Sequence, residues 1–501
     1  MKNLSFKKGV LGAFLSVGLF AQAQQSNVFL ERDFWKSNPS VEVVKEKIKA
    51  GNDPTERNSA SFDPVTLAIL QGLPDETIEY LITQKGNDVN KLTHDGRTYI
   101  FWAANKGKVE LMEYLLERGA KTDLLDNHGF TVLNFAAATG QSNTKVYDLC
   151  LENGANLQSD LDHHGANALL LVSQRAKDFN TIYYFVSKGL DINGKDAEGN
   201  GIFHYVAKSG NIDMLNQLIE KGIDYNYKNN EGGNAMMFAS MGGRGTSNGL
   251  ELFKFLESKG ISPNVTTSTG ETPLHALGGK SKDAEIINYF IAKGVDVNQA
   301  DQNGNTAFLN AASRNTLDIV KLLAKEVKTI NATNKKGESA LALAVQNNSA
   351  AVVTYLINNG ADVNVLDAEG NNLIAYLIQG YSERNSNEFK QKLELLKQKG
   401  LDVSKPQNNG NTVYHLALDK NSLDLLKQLA PYGVNVNAKN KDGMTALLKA
   451  SMSATDDVIL KYLIGVGADK SITTDFDETA FDLANENELL KANKININFL
   501  K

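Results

Sequence analysis

Residues 270–281, GETPLHALGGKS, combine side chains that could do chemistry with a Gly-Gly-Lys-Ser run typical of phosphate-binding loops. Thr272 and His275 stand in the same stretch. A complete phosphate loop needs a glycine at position 274, where this chain has leucine. It also needs a preceding strand to aim backbone N–H groups at the phosphate, whereas the residues before this run predict a helix. The run therefore does not predict a nucleotide site.

A second stretch, GTSNG at residues 245–249, matches the Gly-x-Ser-x-Gly pattern of hydrolases. That pattern works only where a strand feeds the serine, because the strand places its hydroxyl at a sheet edge. Here NAMMFASMGGR, which predicts a helix, precedes Ser247, and no histidine base stands nearby. We interpret the stretch as an inserted flexible turn.

A third stretch, SDLDHHG at residues 159–165, brings two carboxylates and two imidazoles into one turn, namely Asp160, Asp162, His163 and His164. Adjacent histidines point in different directions, and metal sites usually draw ligands from several elements. We interpret it as a solvated hairpin tip. The sequence also has no CxxC or HExxH pattern. We predict no catalytic residue, no metal and no cofactor, and hence no enzyme.

The N-terminus has the pattern of a secretory signal peptide. Three lysines precede the apolar run Val10–Phe20, and Ala21-Gln22-Ala23 offers a small-x-small cleavage site. We expect residues 1–23 to be removed after Ala23, which places the mature chain in the periplasm or outside the cell. No later segment approaches the roughly 18 apolar residues of a membrane helix, so we expect a soluble chain without membrane insertion.

The charge of the chain disfavours nucleic acid as a partner, and its cysteine content limits the disulfides that it can form. The formal net charge of −6 falls to −9 when the three lysines of the leader are removed. An acidic chain without a basic block is not typical of nucleic-acid binding, so we expect none. The single cysteine, Cys150, allows no internal disulfide. Its apolar neighbours predict a buried, unreactive thiol and not a link between two copies.

A segment of about 33 residues repeats along the chain. The clearest copies are GRTYIFWAANKG at Gly96, GFTVLNFAAATG at Gly129, GNTAFLNAASRN at Gly304, GESALALAVQNN at Gly337, GNTVYHLALDKN at Gly410 and GMTALLKASMSA at Gly443. Weaker copies begin at Gly165, Gly199, Gly232, Gly370 and, in degenerate form, Ser61. From Ser61 to Asp477 the spacing lies between 33 and 40 residues and is most often 33. The opening stretch is therefore one copy of a pattern.

Each copy continues with a second apolar run that ends in glycine and an Asp/Val/Asn segment, as in YLINNGADVNVLDAEG (residues 355–370). Together with TPLHAL at residues 272–277, these copies resemble ankyrin repeats. The resemblance implies an all-α fold, a right-handed α-solenoid of about twelve helix-turn-helix repeats with β-hairpin-like loops. We expect an N-terminal capping repeat at 24–60, the repeat array at 61–476 and C-terminal capping helices at 477–501.

Local residue types support the same reading. Thr272 suits a helix N-cap and Pro273 the first helical position. Gly294 and Gly360 suit left-handed residues that end the second helix. We expect His275 to be structural and satisfied by local hydrogen bonds, because the equivalent positions hold other residue types in most repeats. The equivalent histidines His204 and His415 stand several repeats apart and cannot form one site.

By resemblance, partners bind to the hairpin tips and the exposed side of the first helices, on the concave face. The tip residues that we predict to contact a partner are His94, Asp95, Arg97, Asn127, His128, Phe130, Tyr227 and Asn230. Two interpretations stay open for Phe130 and Tyr227, which either touch a partner or pack against the next hairpin. The insertions GGRGTSNG and QGYSERNSNEFK, between first and second helices, are either a second contact surface or surface loops.

The expected function is an exported, monomeric scaffold that binds a protein partner. Two alternatives belong to other classes. One is a metal-dependent or hydrolytic activity in the inserted loops or hairpins, and the other is a self-associating structural element.

Overall fold

A computed structural model of the chain describes residues 27–243 and 247–501. The predicted signal peptide and part of the GTSNG stretch lie outside these ranges. The described residues form two compact units, which end and begin at His163 and His164. Within the described ranges the regular structure is helical, and strand-like pairing is limited to two isolated bridges, Lys195 to Gly201 and Thr333 to Ser339. The prediction of an all-α repeat fold is confirmed.

Unit 1 (residues 27–163) contains four consecutive helix pairs. Its helices are α1 (Arg32–Lys36), α2 (Val41–Lys49), α3 (Pro64–Gln71), α4 (Asp75–Ile82), α5 (Tyr99–Lys106), α6 (Val109–Glu117), α7 (Val132–Ala138) and α8 (Thr144–Glu152). Single 3-10 turns occur at Val28–Leu30 and His94–Gly96.

Unit 2 (residues 164–501) continues the same alternation over ten helix pairs in its described part. Its helices are α9 (Ala168–Ser173), α10 (Asn180–Ser187), α11 (Ile202–Ser209), α12 (Ile212–Glu220), α13 (Ala235–Met241), α14 (Leu250–Ser258), α15 (Pro273–Lys280), α16 (Ala284–Ala292), α17 (Ala307–Arg314), α18 (Leu317–Ala324), α19 (Ala340–Asn347), α20 (Ala350–Asn358), α21 (Leu373–Gln379), α22 (Ser386–Gln398), α23 (Val413–Leu418), α24 (Leu423–Leu429), α25 (Ala446–Ser453), α26 (Val458–Gly465), α27 (Ala480–Glu486) and α28 (Glu488–Ala492). The 3-10 turns are Glu383–Asn385, Ala430–Tyr432 and Asn498–Leu500.

The odd-numbered helices, which we call first helices, begin with a polar capping residue in most repeats. At α15 the cap is reciprocal, because the Thr272 side chain faces the backbone at His275 while the Thr272 N–H donates to His275 Nδ1 over 3.0 Å. Since Nδ1 accepts, Nε2 donates, and it lies 3.1 Å from the Asn305 carbonyl of the next repeat. His415 repeats this arrangement with Thr412. The predicted structural role of His275 is confirmed.

Each unit is held together by repeat-to-repeat contact. First helices pack against first helices of the neighbouring repeat, as in α3, α5 and α7 or in the series from α9 to α27. The buried core runs between these helices and their second helices, since one helix pair cannot bury its apolar stripe alone. Gly294 and Gly360 follow α16 and α20 with φ of 83° and 89°, so the predicted left-handed residues are confirmed.

The loops between repeats are rigid, hydrogen-bonded turns. An Asp or Asn three residues before the hairpin glycine accepts the N–H groups two and four residues ahead, as Asp126 does from His128 and Phe130 at 2.9 Å. Six other hairpins, at Asp196, Asn229, Asp301, Asn334, Asp367 and Asn440, use the same device. Backbone hydrogen bonds also join successive hairpins. For example, the Asn127 N–H donates to the Asp95 carbonyl over 2.8 Å. The tips are therefore fixed relative to their neighbours.

Both insertions lie between a first and a second helix, as their position in the repeat predicts. The first separates α13 from α14, and the second contributes the turn Glu383–Asn385 and lengthens α22 to 13 residues. Before α3, Trp35 is buried and stacks on Phe29 with ring centroids 5.6 Å apart, while Phe34 is half-buried beside it.

Candidate protein-binding surface

Three of the predicted tip residues in unit 1 meet at one carboxylate. Asp95 has a left-handed backbone conformation, with φ of 57°, in the His94–Gly96 turn at the tip of its hairpin. Its Oδ2 lies 3.1 Å from Arg97 Nη1, 3.2 Å from His128 Nε2 and 3.4 Å from His94 Nε2. Burial alone would raise the pKa of this carboxyl, but the hydrogen bond with His128 and the nearby positive groups outweigh it and hold the pKa below its usual value. We call these four residues the Asp95 cluster.

The Arg97 side chain is buried below the tip. Its Nε donates to Asp126 Oδ2 at 2.8 Å, and the side chains of this pair are 9% and 0% exposed. The guanidinium also lies over the Phe135 ring, 4.2 Å from its centroid. Arg97 therefore joins two hairpins and a first helix from inside the unit.

His94 also makes contacts within the fold. Its ring stacks on Phe62 with centroids 4.3 Å apart, and its Nδ1 lies 2.9 Å from the Ala60 carbonyl. The ring is half-buried between two repeats. A partner can reach only its remaining exposed edge.

The next hairpin presents Asn127 and His128 to solvent and leaves Phe130 half-buried. Asn127 covers the preceding hairpin so closely that a Cβ on Gly96 would lie 2.5 Å from Asn127 Oδ1. Glycine is favoured there by its left-handed conformation, with φ of 73°.

The two predicted residues of unit 2, Tyr227 and Asn230, lie on one hairpin. The Tyr227 hydroxyl accepts from Gly201 N at 2.8 Å and lies 3.1 Å from His204 Nδ1, while Lys195 Nζ lies 3.7 Å from its ring centroid. Burial raises the pKa of Tyr227 to about 12. Asn230 is exposed and donates from Nδ2 to the Ala197 carbonyl of the preceding hairpin. For Tyr227 the structure shows packing against the preceding hairpin and the start of α11.

His204 differs from the other two histidines at this repeat position. The capping residue before its helix is Gly201, which has no hydroxyl, so the Tyr227 hydroxyl takes the place of the capping threonine. Its Nε2 is buried and has no hydrogen-bond partner among the described residues. Burial lowers the pKa of His204 to about 4, so the ring is neutral at physiological pH.

A row of exposed leucines follows the hairpin edge of unit 1. Leu92, Leu125 and Leu161 each lie four residues before a hairpin glycine, in three successive repeats. Their exposed fractions are 54%, 62% and 42%, which is high for leucine in a folded chain. We call them the leucine row. In unit 2 the same position holds Leu366 once, 50% exposed, and otherwise Lys, Thr, Ala or Pro. The tip prediction missed this row, although a comparison of equivalent repeat positions would have revealed it.

In the described part of the chain, the Gly-Gly-Lys run and the two adjacent histidines form neither a phosphate-binding loop nor a metal site. The Gly-Gly-Lys run closes helix α15, and Lys280 Nζ donates to the carbonyls of Met241 and Gly243. No group of three or more metal-ligating side chains converges there. His163 lies against Gly129, whereas His164 Nδ1 lies 2.7 Å from Glu198 Oε1, so the adjacent histidines face different groups.

The structure also shows the burial of the single cysteine and the lengths of the helices. Cys150 is fully buried, which confirms the predicted burial, and this burial raises the pKa of its thiol to about 12. Every helix within the described ranges is too short or too polar to cross a bilayer.

The repeat region is similar to a known protein family. The family model described as "Ankyrin repeats (3 copies)" matches residues 65–160, 169–267, 276–367 and 370–487, which is most of the chain. The chain belongs to the ankyrin-repeat family. Its ankyrin repeats are thus shown both by the stacked helix pairs and by this match. Ankyrin repeats are generally scaffolds for protein–protein interaction.

Individual relatives share only part of their length with this ankyrin-repeat chain. The human transient receptor potential cation channel subfamily A member 1 is 23% identical over 283 residues, covering 56% of this chain and 22% of the channel. The chicken nuclear factor NF-kappa-B p105 subunit is 27% identical over 200 residues, covering 39% of this chain and 19% of that subunit. An ankyrin repeat protein of variola virus is 33% identical over 95 residues, covering 19% of this chain and 16% of the relative.

Proposed function

We propose that this chain is an exported ankyrin-repeat scaffold that binds a protein partner as a monomer. The partner contacts the hairpin edge of unit 1, where the leucine row lies, together with the exposed side of the first helices. The leader-like residues 1–23 support export to the periplasm or the medium. The leucine row is the observation that carries the binding proposal.

Three leucines at the same repeat position argue for a shared role. Single exposed apolar residues are ordinary, but a row in consecutive repeats leaves apolar surface in water along one edge. Burial of such side chains against a partner stabilises a complex by roughly 25 cal/mol for each Å² removed from water. Polar tip residues such as Asn127 and His128 flank the row and supply the hydrogen-bonding rim of a protein interface.

The hairpin edge is also held in one conformation before any partner arrives. The Asp126 turn and the backbone bond from Asn127 to Asp95 fix two neighbouring tips. The buried Arg97–Asp126 pair ties them to the core. A surface that is ordered in advance loses less conformational entropy on binding, which favours affinity.

The test replaces the row and leaves the fold intact. A triple variant, Leu92→Ser, Leu125→Ser and Leu161→Ser, is compared with Leu489→Ser, which changes a leucine of similar exposure, 52%, in α28. After affinity purification from the exported fraction, quantitative mass spectrometry should show a protein that wild type and the control retain and the triple variant loses about tenfold. Equal recovery with all three proteins would reject the leucine row as the binding surface.

Light scattering on the same samples separates a partner from self-association. We expect a monomer for every variant. If wild type forms dimers or larger assemblies that the triple variant does not form, the row joins copies of this chain and the scaffold proposal fails in favour of the self-associating element.

Export has its own test. N-terminal sequencing of protein from the exported fraction should begin at Gln24. An N-terminus that retains Met1 in protein found only inside the cell would contradict export without affecting the binding proposal.

A further inference from the structure

A cavity of about 480 Å³ opens beside three consecutive first helices of unit 2. Helices α13, α15 and α17 line it with residues that include Met237, Met241, Gly279, Lys280 and Arg314. Its size falls in the range of sites that take small ligands or a few side chains. We call it the first-helix pocket.

The glycine pair in α15 gives the first sign of a ligand. A Cβ on Gly278 would lie 2.6 Å from the Ala307 carbonyl oxygen, so the close approach of α15 to α17 requires glycine there. A Cβ on Gly279 would meet nothing nearer than 3.7 Å, from Asn310 and Arg314, which is ordinary contact. Glycine inside a helix lowers stability relative to alanine, and the fold does not require it at position 279. It leaves bare backbone that a bound group can approach.

The pocket also holds two cations without an ion-pair partner. Lys280 uses two of its three N–H donors on the carbonyls of Met241 and Gly243, which leaves the third N–H and the full charge uncompensated. Arg314 is exposed beside Gly279 and forms no ion pair among the described residues. Glu271 also lines the pocket, but it pairs with neither cation.

The environment of Lys280 favours an incoming anion. Burial lowers the pKa of its ammonium, and the positive charge of Lys208 on α11 lowers it further. An anion placed beside Lys280 would reverse both effects, because it restores the stabilisation that the charge loses on leaving water. The pocket lining therefore holds two positive side chains against one carboxylate, that of Glu271, although the chain as a whole is acidic.

The rest of the lining is apolar and adaptable. Met237 is 2% exposed and Met241 is half-buried, and unbranched thioether side chains fill irregular space around a guest. Ala276 adds a small apolar surface on the same face of α15. A ligand that matches this lining carries one negative group and adjacent aliphatic groups.

We infer that the first-helix pocket binds a glutamate or aspartate side chain, flanked by apolar residues, from an extended segment of a partner protein. The carboxylate lies between Lys280 and Arg314, and the apolar neighbours lie on the methionines. This inference rests on the proposed scaffold function, since it names the chemistry of a segment that such a scaffold binds.

Selection of random dodecapeptides displayed on phage tests the pocket directly, with the full mature chain immobilised as bait. The variants are Gly279→Leu, which fills the pocket, and Arg314→Glu, which reverses a charge on its exposed rim. The control is Arg384→Glu, the same charge change on an exposed arginine outside the pocket lining. Thermal melts of all four proteins verify that each variant is folded.

We expect wild type and Arg384→Glu to enrich peptides with an acidic residue beside apolar ones, and both pocket variants to lose them. For the strongest peptide, fluorescence anisotropy should show about tenfold weaker binding to each pocket variant, and to wild type when its Glu or Asp becomes Gln or Asn. Acidic peptides that bind the pocket variants equally well, or enriched peptides without acidic residues, would overturn the inference and leave the scaffold function standing. If wild type enriches nothing, the pocket inference fails, while the leucine-row experiment decides the scaffold function separately.

Discussion

The Asp95 cluster of unit 1 and the first-helix pocket of unit 2 use charged side chains in opposite ways. Around Asp95, each charge faces another within the fold, and the buried Arg97–Asp126 pair joins two hairpins. In the pocket, Lys280 and Arg314 carry charges that no carboxylate of the described chain compensates. A charged residue at a hairpin tip can thus be fully paired within the fold, whereas a charged residue on a helix can remain available to a ligand.

The largest test of this contrast removes the buried pair. Asp126→Ala leaves the Nε of the buried Arg97 guanidinium without its acceptor, with Asp95 still facing Nη1, and it frees two N–H groups of the hairpin, so unit 1 should lose about 3 to 5 kcal/mol of unfolding free energy. Urea denaturation followed by circular dichroism measures the loss. Asp123→Ala, an exposed carboxylate of the same hairpin, is the control and should change stability by less than about 0.5 kcal/mol. Equal effects would mean that the tip charges are not structural.

The dependence of stability on pH tests the buried His204 beside Tyr227. The folded pKa of His204, about 4, lies below its unfolded value of 6.5, because burial disfavours the charged ring more than Asp196 favours it. The neutral ring therefore contributes fully above pH 6.5, and this contribution falls as pH drops toward 4, by at most about 3 kcal/mol. His204→Leu, which installs the residue that Leu309 provides at the same repeat position, should remove this component. Parallel stability curves for both proteins from pH 7 to pH 4.5 would contradict the assignment.

Alanine substitutions at the two adjacent glycines test whether the fold requires glycine in the pocket lining. Gly278→Ala should cost about 1 to 3 kcal/mol, because its Cβ overlaps the Ala307 carbonyl. Gly279→Ala should instead stabilise the chain by about 0.5 to 1 kcal/mol, because alanine is the better helix former and has room there. Thermal or urea unfolding of the two variants measures both changes in unfolding free energy, which should have opposite signs. A loss at position 279 would show that the fold requires that glycine and would remove one support of the pocket.

The last prediction concerns the hydroxyl of Tyr227. Tyr227→Phe leaves the Gly201 N–H without its acceptor and should cost about 1 kcal/mol. Tyr225→Phe removes a hydroxyl that forms no hydrogen bond among the described residues, so it should be nearly neutral. If Tyr227→Phe left stability unchanged but weakened partner binding, Tyr227 would be a contact residue and not a structural one.

Much of the fold could be predicted because its signals are local. Thr272, Pro273 and the glycine after each second helix act through hydrogen bonds and dihedral angles within a few residues, and the repeat reports them many times. The hairpin turn built by Asp126 has the same local origin. The candidate site was less predictable, since tip position alone did not distinguish the exposed Asn127 from the buried Arg97.

The repeat, its capping residues such as Thr272 and Gly294, and the structural role of His275 follow from the sequence alone, because they depend on residue types close together in the chain. The folded arrangement was needed to show that Arg97 is buried, that Tyr227 accepts the N–H of Gly201 at the start of α11, and that Gly278 is required while Gly279 is not. Those outcomes depend on distances between residues about one repeat apart. Small differences in how two helices pack set such distances, and no local pattern records them.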